Sequence, residues 1–363
     1  KLRASIGNPG NQSFDSAQSL LTYAFQFGSM NYFGLGAELS QVGNPDLEWQ
    51  ITVDKNIGLD VTLFNKRFSL TADYYYKVTD PLLIKVSTPL SSGTATYMTN
   101  AGEQVSQGFT ASVSYYVFQN FEKRFSWMVR ANVRTQKTRI DKIGNKLSTL
   151  NSSGKGSNTV RYYDGADPDD IWAVKSAGID PSNGKELFYA KDGSYTYDFS
   201  YDDEVICGNT RPDVEGVIGS SLNWKGFSVS LNFRYQMGAD VFNEALYSKV
   251  ENISRSDLNK NQDKRALYER WQEEGDIVRF KNIASAETTP MSSRFVQEEN
   301  VLTLESVYLG YEFYDGWIKK LGLSSLKFQV SMRDVFRAST IRSERGIAYP
   351  FARSMEAGLS FNF

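Results

Sequence analysis

The stretch FSVSLNFRYQM, residues 227–237, alternates apolar and polar side chains without an error. Successive side chains of a strand point to opposite faces. Phe227, Val229, Leu231, Phe233, Tyr235 and Met237 therefore share one wall, and Ser228, Ser230, Asn232, Arg234 and Gln236 the other. A strand of this length has to place its apolar wall against either a protein core or lipid, and its polar wall against water.

The device recurs. ITVDKNIGLDVTLF (51–64) sets Ile51, Val53, Ile57, Leu59, Val61 and Leu63 against Thr52, Asp54, Asn56, Asp60 and Thr62. FSLTADYYYKV (68–78) sets Phe68, Leu70, Ala72, Tyr74 and Tyr76 against Ser69, Thr71, Asp73 and Lys77. FTASVSYYV (109–117), LKFQVSMR (326–333) and MEAGLSFNF (355–363) repeat it. In FSWMVRANVRTQ (125–136), Arg130, Asn132 and Arg134 lie opposite Trp127, Val129 and Val133. With KLRASIGN, PDVEGVIGSSLNW and LESVYLGYEF, this predicts about ten strands of roughly ten residues, long enough to cross a bilayer at a tilt.

The connections decide between core and lipid. FNKR (64–67), FQNFEKR (118–124) and WKG (224–226) are short polar turns, and YDGWIKKLGLSS (314–325) is somewhat longer. Between them lie long links at 9–46, 80–105, 138–211, 238–300 and 338–350. A soluble sandwich spaces its turn signals more evenly and rarely carries such links. Short turns at one end and long loops at the other are the build of an outer-membrane barrel. Trp127, Trp224, Tyr235, Phe313 and Phe351, near strand ends, suit interfacial girdles, although ordinary packing explains each singly. The terminal Phe363, in line with Leu359 and Phe361, resembles an outer-membrane insertion signal. One interruption, DLNKNQDKRALYERWQEEGD (257–276), places Ala266, Leu267, Tyr268 and Trp271 at helical spacing and predicts a short surface helix.

Composition removes other functions. The net charge of −2 gives no basic footprint for nucleic acid. The sequence has no His, which removes Ser-His and Cys-His nucleophiles and His-ligated metals. Cys207 is a single cysteine, read as a small filler. No apolar run is long enough for a transmembrane helix, and the opening residues do not read as a signal peptide. Because KLRASIGN already reads as a strand, the chain is expected to be a portion of a longer polypeptide. DGADPDDIW (164–172) gathers Asp164, Asp167, Asp169 and Asp170, but without the order of an EF-hand; a solvated turn is expected there, with no metal, cofactor or catalytic residue.

Several segments resemble the SusC/RagA family of TonB-dependent outer-membrane transporters. They are NPDLEWQITVDKNIGLDVTLFNKRFSLTADYYYKVTDPLL, GIDPSNGKELFYAKDG, PDVEGVIGSSLNWKGFSVSLNFRYQMGADVFN, LGLSSLKFQVSMRDVF, ALYERWQEEGDI and YPFARSMEAGLSFNF, in the family's order. The chain departs from the family at Asp334, Val335 and Phe336, where Asn-Leu-Phe is common.

The resemblance implies an all-β transmembrane barrel of 22 antiparallel strands, with residues 1–363 as its C-terminal part. The plug and the N-terminal strands would lie outside this chain. It implies active import of glycan oligosaccharides or peptides across the outer membrane of a Gram-negative bacterium, driven by the TonB complex through that N-terminal region. It also implies a SusD-like surface lipoprotein as a lid. A self-contained porin or adhesin barrel is the alternative, and an outer-membrane glycosidase is a weaker third. The expected lumen-facing residues include Asp60, Asp73, Arg130, Arg134 and Arg234. In the long loop 138–211, Tyr162, Tyr163, Trp172, Tyr189, Tyr195 and Tyr197 are the candidates for contact with substrate or lid, with mutual packing in a small hairpin as the competing reading.

Overall fold

The computed structural model describes residues 1–11, 19–88, 91, 93–94, 96–120, 122–144, 147–156, 161–257, 259–285, 287–314, 316–341 and 353–363. Phe121 and Phe351, and most of the link 338–350, lie outside them.

Ten strands form one antiparallel wall. They are β1 (Leu2–Gly7), β2 (Gln50–Leu63), β3 (Phe68–Asp80), β4 (Glu103–Asn120), β5 (Phe125–Asp141), β6 (Val214–Trp224), β7 (Phe227–Phe242), β8 (Val296–Phe313), β9 (Ser325–Ser339) and β10 (Ser354–Asn362). Each pairs with its neighbours in chain order. A two-residue strand, Gly10–Asn11, adds to the free side of β2 beyond β1. Among the described residues no helix is long and apolar enough to cross a membrane.

The register carries the alternation from strand to strand. Val61 stands beside Leu70, Leu70 beside Val113, Val113 beside Ala131, Ala131 beside Ile218 and Ile218 beside Phe233. Phe233 in turn meets Leu304, and Leu304 meets Phe336. The apolar wall stays open to its surroundings: Ile57 is 60% exposed and Phe227 52%. The buried hydrophobic clusters lie instead at the loop end. One comprises Leu82, Ile84, Val86, Ile140, Ile143 and Leu147, the other Leu246, Val250, Ala266, Phe280 and Phe295. A wall whose apolar rows stay largely exposed has lipid as its apolar solvent.

The turns are tight at one end. Lys225 (φ 45°) and Gly226 (φ 98°) make the two-residue link from Trp224 to Phe227, the type I′ geometry whose twist matches the flanking strands. Phe64, Asn65 and Lys66 all take positive φ between β2 and β3. Aromatic side chains gather at this end. Trp127 stacks on Phe118, Phe227 lies 4.3 Å from Tyr311, and Tyr311 4.5 Å from Phe313.

Three expectations are corrected. The alternation of FTASVSYYV does not reach Val117: Tyr116 pairs with Met128 and Phe118 with Trp127, so Val117 is an extra residue and the apolar position passes to Phe118. The helix expected within 257–276 is one turn, Arg265–Tyr268, in which only Ala266 is buried. Tyr235 does not stand near a strand end but in the middle of Phe227–Phe242. It lies across Gly216 and donates to the Asn132 backbone carbonyl at 2.9 Å.

The links also hold structure that periodicity does not show. Thr22–Asn31 pairs with Gly34–Gln41, and Leu83–Ser87 with Thr96–Asn100. Asp334, in the departure from the family pattern, has φ 51° at the point where the β8–β9 register slips between Leu304 and Ser306. Asp and Asn are the side chains that best tolerate that conformation, so the change conserves the backbone requirement.

Candidate functional site

The polar face of the wall is a connected network. Arg3 bonds Asp60 at 2.9 Å and reaches past Gly58 to Asp73 at 3.0 Å. Lys77 meets Asp54 at 3.0 Å. Arg130 crosses Gly219 to the Asn232 side-chain oxygen at 2.8 Å, and Asn232 donates to Ser306 at 2.8 Å. Arg134 lies 3.5 Å from Glu215, and Arg234 2.7 Å from Glu305. Glycine on the middle strand is what allows the long reaches: a Cβ at Gly58 would stand 2.4 Å from the Asp73 carboxylate, and one at Gly219 2.6 Å from Arg130 Nε. The five residues Asp60, Asp73, Arg130, Arg134 and Arg234 thus sit on the polar face and are all engaged with neighbours.

Where this face meets the loops, Arg134, Gln136, Arg211, Pro212 and Glu215 line a cavity of about 180 Å³. Arg211 is anchored by Thr138 at 2.6 Å, by Asp167 at 3.2 Å and by Asp169. Burial pushes the Asp167 carboxyl up, despite the neighbouring Arg211 charge. The other carboxylates of DGADPDDIW also have structural work: Asp164 accepts from the Ile143 and Gly144 amides, and Asp170 from Asp167 N and Asn209. Among the described residues no group of acidic or Cys side chains is placed to hold a metal ion.

The loop aromatics divide. Tyr162 packs on the cluster around Ile140 and Leu147, and burial raises its hydroxyl pKa. Tyr163 and Trp172 face each other with ring centres 5.1 Å apart, and the buried Trp172 indole nitrogen has no hydrogen-bond partner among the described residues. Tyr189 and Tyr195 pair at 4.9 Å on the small sheet Ser176–Ile179, Glu186–Tyr189 and Tyr195–Thr196. The Tyr197 hydroxyl donates to Asp180, which holds the Asp180 carboxyl below its ordinary value and raises the tyrosine. Tyr163, Tyr195 and Tyr197 remain exposed at the loop end. The site candidates are therefore split between the wall and the loop surface, with the Arg134–Arg211 cavity at the junction.

A family model for the TonB-dependent receptor-like β-barrel matches residues 1–253. The chain belongs to that family. A TonB-dependent receptor of Formosa agariphila is 25% identical over 93% of this chain and 36% of its own length. The TonB-dependent receptor SusC of Bacteroides thetaiotaomicron is 25% identical over 76% of this chain and 27% of its own. The chain thus spans about a third of the curated relatives it matches. The structure of the RagAB peptide transporter superposes with a TM-score of 0.80 at 22% identity, over 94% of this chain and 37% of that one. The resemblance to SusC-like TonB-dependent receptors and the transmembrane barrel fold are thereby shown.

One feature of this TonB-dependent receptor barrel escapes sequence reading. Arg294 is buried between two carboxylates, Glu186 at 2.8 Å and Glu251 at 2.7 Å. Ser292 donates to Glu186 at 2.6 Å and Thr289 to Glu251 at 2.8 Å. Burial works against the Arg294 charge, but the two carboxylates hold its pKa above the ordinary value. Trp271 adds a second tie, donating to the Pro181 carbonyl at 2.9 Å. The links 138–211 and 238–300 are therefore joined into one plate. No local signal marks the triad, because Glu186 and Arg294 lie 108 residues apart.

Proposed function

We propose that residues 1–363 form the C-terminal part of a 22-stranded TonB-dependent barrel that imports oligomeric nutrients across the outer membrane. The observation that carries this is the wall itself: one face of apolar rows, one face of paired charges, and a folded plate at the loop end. The charged face lines the route, and the plate lies on the outside with the tight turns toward the periplasm. The cargo we assign is a glycan oligosaccharide or a peptide. Exposed Tyr163, Tyr195 and Tyr197 offer flat faces to sugar rings or side chains, and Arg134 and Arg211 offer donors to carbonyl or carboxylate oxygens. RagAB, which shares this fold, is a peptide transporter, and that favours the peptide. The likeness to SusC supports a two-component assembly. A SusD-like lipoprotein would then cover the plate, and TonB would act through a region outside this chain.

The test is to purify the intact transporter from its native membrane and identify by mass spectrometry what stays bound. A co-purifying surface lipoprotein and a ladder of peptides or oligosaccharides support the proposal. An isolated barrel that conducts salt and passes small solutes without TonB supports the porin reading instead.

A further inference from the structure

Toward the loops the apolar face of the wall becomes charged: Arg139, in the row of Val53, Val78 and Val105, bonds Asp141 at 2.7 Å, and the row one step nearer the turns is the first to carry charge. The register places Ile6 beside Lys55, Lys55 beside Tyr76, Tyr76 beside Gln107 and Gln107 beside Lys137. The row two residues nearer the turn end is Ala4, Ile57, Tyr74, Phe109 and Thr135, without a charge. Lys55 and Lys137 are exposed, and neither has an acidic partner among the described residues. The polar face differs, since Arg3, Lys77, Arg134 and Arg234 all meet carboxylates there. The Tyr76 hydroxyl likewise makes no hydrogen bond among the described residues, whereas Tyr74 donates to Gln107 at 3.3 Å.

Beside Lys55 the face is hollowed. A groove of about 480 Å³ has Ala4, Ile6, Lys55, Ile57, Tyr74 and Tyr76 among its lining residues. An unpaired ammonium facing lipid is costly unless it snorkels to a polar layer or meets an anion. Both lysines stand at the loop-ward limit of the uncharged rows, three strand spacings apart, which is about 14 Å.

We infer that Lys55, Tyr76 and Lys137 form a binding site for a phosphate-bearing anionic membrane lipid. One acyl chain lies in the groove over Ala4 and Ile57, and phosphate oxygens accept from the two ammonium groups and the Tyr76 hydroxyl. The groove, the charge and the end of the apolar rows coincide at one height, which is what a lipid with a charged head and an apolar tail requires. The inference rests on the reading of this face as lipid-facing.

The experiment uses the intact transporter, delipidated in detergent and titrated with phosphatidylglycerol, phosphatidylcholine or inorganic phosphate, with bound species read by native mass spectrometry. The comparison is with Lys55→Gln/Lys137→Gln, with the charge-keeping Lys55→Arg/Lys137→Arg, and with a turn-end control, Lys66→Gln/Lys225→Gln. Each lysine is worth roughly fivefold at a membrane surface, so the Gln pair should bind phosphatidylglycerol more than about tenfold more weakly. The Arg pair and the control pair should keep wild-type binding. Equal binding by wild type and the Gln pair would overturn the site, as would an equal loss in the control pair. Inorganic phosphate binding as well as the lipid would overturn the assignment to a lipid. Failure of the lipid-facing reading itself would show separately, as a wild-type protein soluble without any detergent belt.

Discussion

Arg3 and Asp73 lie 3.0 Å apart on strands that are not neighbours, joined over the bare backbone of Gly58. The same guanidinium holds Asp60, so one side chain fastens three strands on the polar face. Gly58→Ala should part Arg3 from Asp73, because the new Cβ would stand 2.8 Å from the guanidinium carbon. Arg3 can swing away and keep Asp60. With both partners partly solvated, the loss of stability should be small. Urea unfolding of the intact barrel reads it, and Asp73→Asn should lower stability by a similar amount without adding to Gly58→Ala.

The two walls should differ sharply in tolerance. Leu231 pairs with Val307 in the apolar rows, and Asn232 next to it with Ser306 in the polar network. Leu231→Arg should cost ~2–4 kcal/mol near the bilayer midplane. Asn232→Ala should cost about 1 kcal/mol through the lost bonds to Arg130 and Ser306. Folding equilibria in lipid vesicles distinguish the two.

Arg294→Met should open the plate without opening the wall. It leaves Glu186 and Glu251 buried together without their cation, a loss of about 3–5 kcal/mol for a broken buried ion pair. Limited proteolysis should cut within 176–199 or 252–290, while the heat-resistant barrel band survives on a gel. Adding Glu186→Gln and Glu251→Gln to Arg294→Met should recover much of the protection.

The small sheet at 176–196 should loosen in acid. The Tyr197 hydroxyl and the Ser182 amide hold Asp180 below its ordinary value of 3.8, so the bonded carboxylate stabilises the folded hairpin above that pH. The contribution disappears as pH falls through the lowered folded-state value. Hydrogen exchange of the peptide 180–197, corrected for intrinsic rates, should show protection from neutral pH down to about that point and loss below it. Asp180→Asn should remove this pH dependence.

The wall was legible because lipid on one side and water on the other force a period of two. The rows around Leu231 and Leu59 show it in every second residue. The pattern misleads at Val117, where one extra residue hands the apolar position to Phe118; a bulge conserves local composition and changes only the register. The plate was not legible, because its strands, such as Asp170–Val174 and Glu186–Tyr189, are too short to establish a period. Among the candidate residues, the polar-face assignments of Asp60 and Arg130 follow from parity alone. The hydrogen bond from Tyr197 to Asp180, 17 residues away, follows from no spacing rule. The triad at Arg294 depends on two loops meeting in space, which only the fold provides.

The central claim is that the two faces of this wall meet different solvents. Nitroxide labels at 228 through 233 of β7, introduced singly as cysteines in a Cys207→Ser background and reconstituted in vesicles, test it most directly. Collision with oxygen, which concentrates in lipid, and with a water-soluble nickel chelate should alternate out of phase. Positions 229, 231 and 233 should favour oxygen, and 228, 230 and 232 the chelate. Equal accessibility at neighbouring positions, or the opposite phase, would contradict the account.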